Sequence, residues 1–175
     1  MSAPLKLNRR RLSVLALTTF VWPFSRSTVM AQNTTAQPTQ IIRRAGSQPS
    51  QKGSEAFFTG TVRLDPLFPV QEGSNLSGAL VTFEPGARTA WHSHPMGQNL
   101  IIISGVGWTQ CDGEPKKEIR AGDVVSCPCN RRHWHGATAT TAMSHIAVQE
   151  QKDGTPVSWM EKVSDEDYLT PVEPD

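Results

Sequence analysis

The sequence predicts an all-β domain, a sandwich or barrel of short strands. Three observations predict it. From Phe57 onward, short apolar or alternating runs recur between turn signals such as Asp65-Pro66, Glu84-Pro85-Gly86, Pro95-Met96-Gly97, Asp112-Gly113 and Ala121-Gly122. The 175 residues include 13 Gly, 13 Pro and only 19% charged side chains, a balance that favours strands and turns over long helices. No apolar run after residue 31 reaches the length of a membrane span.

In chain order, strands are expected over residues 57–64, 79–83, 89–94, 98–104, 107–111, 117–120, 123–127, 133–137 and 141–149. The first ends at Asp65-Pro66 and the second at Glu84-Pro85-Gly86. The third runs into Pro95-Met96-Gly97, where a strand cannot continue. Along 98–104, Gln98, Leu100 and Ile102 share one face. Along 141–149, His145, Ala147 and Gln149 alternate with Ser144, Ile146 and Val148. The apolar pair Ile146 and Val148 is expected to pack outside, against another layer or a partner, while His145 and Gln149 face the interior. Only residues 165–169 read as a short helical turn.

The N-terminus reads as an address. Lys6, Arg9, Arg10 and Arg11 precede an apolar stretch from Leu12 to about Trp22, and Val29-Met30-Ala31 offers a cleavage site. That layout is an export signal over residues 1–31, by either the general secretory or the twin-arginine route, and it implies an exported, periplasmic protein. Five of the 17 basic residues (Lys6, Arg9, Arg10, Arg11, Arg26) and no acidic one lie there, so the remainder carries 12 basic against 16 acidic residues, a formal −4. A mildly acidic chain is a poor nucleic-acid binder and keeps no membrane attachment once the signal is cleaved. Residues 32–53, rich in Gln, Thr, Ser and Pro, read as a linker or arm in which Ile41-Ile42 adds an edge strand or reaches a partner subunit. The β-barrel is expected over 54–169 and a tail over 170–175. Cys111, Cys127 and Cys129 read either as small buried residues or, in an oxidising compartment, as one disulfide plus an odd thiol.

Chemistry concentrates in two short stretches. Four of the five histidines form two H-x-H pairs, His92/His94 and His133/His135, each beside a turn. A spacing of two on a strand puts both imidazoles on one face. Gln98, across the Pro-Met-Gly turn, can return its amide oxygen to the same point. Three imidazoles and an oxygen converging on one point make a site for one divalent transition metal with room for water or substrate.

These residues resemble the cupin superfamily. Its first motif, G-x5-H-x-H-x3/4-E-x6-G, is matched by Gly86, His92, His94, Gln98 and Gly105, with Gln in place of Glu. Its second, G-x5-P-x-G-x2-H-x3-N, is matched by Gly122, Pro128 and His133, with Asn130 and Ala137 departing. Asn tolerates the left-handed backbone that the turn at 130 needs. The resemblance implies a small β-barrel with His92, His94, Gln98 and His133 as metal ligands. The neutral Gln leaves the cation's charge uncompensated, which suits polarising a substrate oxygen more than stabilising oxidised iron.

Narrower stretches, including residues 83–92, Gly97-Gln98, 133–137 and Met160-Glu161, resemble the bacterial manganese-dependent hydroxynitrile lyases, in which a His-His-Gln-His ligand set is the norm. The match runs from about Ile41 to Tyr168. It implies reversible cleavage of cyanohydrins to aldehyde and cyanide, with manganese the first choice of metal. The donor types alone equally allow Fe, Zn, Ni or Cu.

Within that reading His135 and His145 are candidate acid–base residues, with Gln149 beside them facing the cavity. Ala79, Val81, Leu100 and Ile102 are expected to set the width of the substrate pocket. Trp91 and Trp134, of opposite parity to the histidines, are expected to pack outside. Arg88 is expected as a surface or turn salt-bridge residue, and Arg131-Arg132 as a solvated turn. Two other readings fit the same residues: a different metal-cupin reaction (oxygenase, isomerase or lyase on a carbonyl or enol), and a non-catalytic cupin that binds a small ligand. A homodimer or homotetramer is usual for such cupins.

Overall fold

The structure, a computed structural model, describes residues 39–173. The export signal, the start of the linker and the last two residues of the tail lie outside the described residues. No helix among those described is long and apolar enough to cross a membrane.

Twelve strands and one short helix follow in order: β1 (Gln51–Lys52), β2 (Phe58–Thr59), β3 (Val62–Phe68), β4 (Leu76–Phe83), β5 (Arg88–Thr89), β6 (His92–Ser93), β7 (Gln98–Cys111), β8 (Lys117–Arg120), β9 (Val124–Cys127), β10 (His133–Ala137), β11 (Met143–Glu150), β12 (Ser158–Trp159) and α1 (Asp165–Leu169). All pairings are antiparallel. The order β1-β3-β4-β11-β7-β9 makes a first sheet. A second is β2-β5-β10-β7-β8, with β6 also on β10 and β12 on β6. The all-β expectation holds.

β7 belongs to both sheets. Residues 98–105 pair with β11, and residues 107–111 pair with β10. The strand turns the corner at Gly105, whose φ is +74°, and a Cβ there would lie 1.8 Å from the Ala142 carbonyl oxygen. Only glycine fits. The two strands expected at 98–104 and 107–111 are therefore one, bent at a residue that reads as a break.

Three further expectations are corrected. The strand expected at 57–64 splits at Gly60, where φ is +76°. The one at 89–94 splits at Ala90-Trp91, whose backbone N–H groups donate to Phe57 and Glu161 carbonyls instead of a strand neighbour. The edge strand of the arm is Gln51–Lys52, while Ile41 and Ile42 are exposed and in no strand.

The inward faces of both sheets meet in a core built on Phe83, Leu100, Ile102, Met143, Val62 and Val81. Burying these side chains contributes about 2 kcal/mol each. Outside the second sheet, Trp91, Trp134, Val163 and Tyr168 form a separate cluster with Trp108, so both tryptophans pack outward as expected. α1 closes that cluster. Its N-cap Ser164 accepts the Asp167 N–H at 2.9 Å, and the Tyr168 hydroxyl donates to the Ala137 carbonyl. Arg88 makes a salt bridge as expected, to Asp165, but is buried instead of lying on the surface. It is 4% exposed, donates to the Val163 carbonyl and the Asp165 carboxylate, and stacks over Tyr168. It ties α1 to β5 from inside.

Candidate metal centre

Strand register brings the two H-x-H pairs together. β6 pairs with β10 so that His92 faces His133, and β11 pairs with β7 so that Gln149 faces Gln98. His94 and Gln98 are joined by the expected turn, in which Gly97 takes φ +79° and donates to the His94 carbonyl. The same carbonyl accepts from Asn130, which adopts φ +58°, so the turn before His133 is docked onto the turn after His94. The Gln98 Oε1 and His133 Nε2 atoms lie 3.5 Å apart.

Three of the imidazoles are oriented by the backbone. His92 Nδ1 lies 2.9 Å from the Ala90 carbonyl, His133 Nδ1 2.9 Å from that of Arg131, and His94 Nδ1 2.7 Å from that of Pro156. A carbonyl only accepts, so each Nδ1 carries the proton and each Nε2 presents a lone pair. The Gln98 amide is oriented the same way. Its Nε2 donates to Gln149 Oε1 at 3.0 Å, leaving Oε1 toward His133.

All four histidines of the two pairs are buried, as is His145. Burial, which penalises the imidazolium, pushes every one of them below its ordinary range: His94 to about 4 and His145 to about 3, with His92, His133 and His135 shifted in the same direction. The imidazoles are therefore neutral at pH 7. Neutral, inward-pointing donors with no carboxylate among them fit a divalent cation, and His94 Nε2 is a buried atom with no hydrogen-bond partner among the described residues.

Proximity alone selects a different trio from the expected ligands. His92, His133 and His135 place one ring nitrogen each within 4.8 Å of one another, and His94 stands outside that group. The hydrogen bonds distinguish His94 from His135. His94 is locked by a carbonyl into the tautomer a metal needs. His135 instead meets another imidazole, its Nδ1 lying 3.3 Å from His145 Nε2, so neither tautomer is enforced. His135 Nε2 and His145 Nδ1 have no hydrogen-bond partner among the described residues. Such a pair is suited to accept, hold and return a proton.

A cavity of about 110 Å³ adjoins these groups, lined by His92, His94, Gln98, His135, His145 and Gln149 on its polar side. Ala79 and Val81 are on its wall, as the parity of β4 implies. Leu100 and Ile102 are not. They are 0 and 2% exposed and belong to the packed core. Phe58, Val157 and Trp159 are further wall residues and were not foreseen. Trp159 stacks on Phe57 at 4.8 Å and lies 4.9 Å from the His92 ring. Its two-residue strand carries no periodic signal, and only its place beside Met160-Glu161 marked that region.

Arg131 and Arg132 are held by Glu114 and Glu161, as befits a solvated turn. The three thiols are free. Cys127 is buried, which pushes its thiol up to about 12, whereas Cys129 is exposed instead of packed.

A family model described as the cupin domain matches residues 79–148. The (R)-mandelonitrile lyase of Granulicella tundricola is 57% identical over 127 residues, covering 73% of this chain and 97% of that protein. The solved structure of a cupin-like protein from Thermotoga maritima is 41% identical, covers 74% of this chain and 95% of its own, and superposes with a TM-score of 0.64. A cupin-2 domain protein from Rhodospirillum rubrum shares the fold at 19% identity and a TM-score of 0.56, over 75% of this chain and 85% of its own. The chain thus belongs to the cupin family, as a single-domain cupin similar to hydroxynitrile lyases.

Proposed function

We propose that the protein is a metal-dependent hydroxynitrile lyase that cleaves aromatic cyanohydrins reversibly to aldehyde and cyanide. The observation that carries this reading is the division of labour among the histidines. Three imidazoles are locked by carbonyls as metal donors, and two more form an unlocked pair on the same cavity. The 57% identity to a protein named (R)-mandelonitrile lyase supports the substrate class.

His92, His94 and His133 through Nε2, and Gln98 through Oε1, would hold the cation, with manganese the first choice. A bound divalent cation supplies a Lewis acid that makes a substrate hydroxyl easier to deprotonate. The chain's own residues do the rest. Phe58, Val81 and Trp159 offer an apolar surface for an aromatic ring. The neutral His135–His145 pair takes the hydroxyl proton. As the C–OH carbon becomes an aldehyde, the bond to the nitrile carbon breaks and its electron pair leaves with cyanide. The pair then returns the proton, so the products are aldehyde and hydrogen cyanide. Protonation of buried imidazoles is unfavourable, which drives that return. Gln149 keeps the Gln98 amide in its orientation.

The test is cyanide release from mandelonitrile by manganese-loaded protein, before and after chelation. Release that disappears with the metal and returns with it is the expected result. Absence of release under both conditions, with oxygen uptake on an enol or catechol substrate, would instead favour the oxygenase reading.

A further inference from the structure

The inner face of the first sheet continues past the reaction cavity. Across β4 and β11 its successive rows are Val81 beside His145, Ala79 beside Ala147, and Ser77 beside Gln149. Residues two apart on a strand share a face, so all three rows look inward. The reaction cavity lies over the first row and extends to Gln149. A second cavity, of about 390 Å³, begins on the alanine row and runs over Ser77, with Pro66 of β3 beside Ala79. Ala79, Ala147 and Gln149 line both cavities.

The row that divides the two spaces is a pair of alanines, so only methyl groups rise between them. Gln149 is long enough to cross the gap, but its Oε1 accepts from the Gln98 amide at 3.0 Å, which ties the side chain to the β7 side. The two cavities therefore communicate along the strand direction.

Size assigns them different parts of a ligand. Small-molecule pockets run from about 300 to 1,000 Å³. At about 110 Å³ the reaction cavity falls below that range, with room for little beyond one ring, and the second lies within it. Two residues of strand advance ~7 Å, so the Ser77 row lies one further ring along.

The far walls suit an apolar group. Leu67 and Phe68 end β3 and Pro69 follows them. The Phe68 ring is seated on Gly78, where a Cβ would stand 2.5 Å from it, so bare backbone holds the ring in place as a wall. Among the described lining residues the single charge is Arg43, which is exposed. Its aliphatic stem can lie along a ring while the guanidinium stays in water.

We propose that the second cavity is a substrate subsite that, given the lyase reading, takes the distal ring of a two-ring aromatic cyanohydrin or aldehyde. The first ring lies in the reaction cavity and the bond joining the rings crosses the Ala79–Ala147 row. Burying the second ring against Leu67 and Phe68 removes apolar surface from water, which favours the longer substrate.

Two readouts on the manganese-loaded protein test this. Calorimetric titration with biphenyl-4-carbaldehyde should show binding at least about tenfold tighter than with benzaldehyde, the effect of burying a second ring. In cyanide-release assays, kcat/KM for 4-phenylmandelonitrile should equal or exceed that for mandelonitrile. Leu67 lines the second cavity and not the first. Leu67→Asp should weaken binding and kcat/KM of the two-ring compounds about tenfold and change kcat/KM for mandelonitrile less than about twofold. Phe68→Asp takes its place if that variant fails to fold. Two-ring aldehyde bound no tighter than benzaldehyde overturns the subsite. So does a folded variant that keeps wild-type affinity for biphenyl-4-carbaldehyde, or turnover of mandelonitrile with none of 4-phenylmandelonitrile. Cyanide released from neither substrate overturns the lyase reading alone, and the titration then decides the subsite.

Discussion

Three Nδ1–H groups donated to main-chain carbonyls are what turn a cluster of histidines into a candidate metal centre. The fourth donor depends on one side chain behind it: Gln149 accepts from the Gln98 amide and keeps the carbonyl oxygen pointed inward. Gln149→Leu should therefore weaken metal affinity about 10- to 100-fold, the usual effect of losing a group that orients a ligand. Equilibrium dialysis against the metal measures it, and unchanged affinity would remove Gln149 from the account. His145 makes a separate prediction about the metal-free protein. Its folded value, about 3, lies below the ordinary 6.5, so between those values the unfolded chain binds the proton and the folded chain does not. Its share of stability is present above pH 6.5 and lost as pH falls through that window, by up to ~1.4 kcal/mol per pH unit. Urea midpoints of metal-free wild type should drop between pH 7 and 5 more steeply than those of His145→Phe, which has no proton to bind. Parallel slopes would contradict the assignment.

At the scale of elements, legibility followed periodicity. Residues 117–120 and 133–137 form strands at their expected bounds, and 165–169 form the helical turn, because each is flanked by its own turn or capping residue. β1 and β12 were illegible, since two residues show no alternation and β12 is held by a partner distant in sequence. Gly105 misled for the opposite reason. A glycine between two strand-like runs reads as a turn, yet here it lets one strand bend between two sheets. Gly105→Ala should cost more than about 2 kcal/mol in urea unfolding, since it combines a left-handed backbone with a collision against the Ala142 carbonyl. A loss within about 0.5 kcal/mol would mean that the corner is not built as described.

Across the whole molecule, the site was legible where residues of one chemistry recur at strand spacing and illegible where the wall is supplied from elsewhere. His92, His94, Gln98 and His133 announce themselves by a spacing of two and a turn. The identity of the wall did not, because Phe58, Val157 and Trp159 arrive from the two ends of the fold. Spacing alone does not tell His94 from His135, which differ in what their Nδ1 atoms meet; the expected division between them came from the family motif. If the four donors close on one cation, binding couples to folding: metal at a hundredfold excess over its Kd should stabilise the protein by ~2.7 kcal/mol, seen as a raised Tm that chelator abolishes. The most direct measurement is an anomalous difference map at the manganese absorption edge from crystals of manganese-loaded protein. The account predicts one peak per chain bounded by Nε2 of His92, His94 and His133 and Oε1 of Gln98. A peak held by His92, His133 and His135 with His94 turned away, or no peak among these residues, would contradict it.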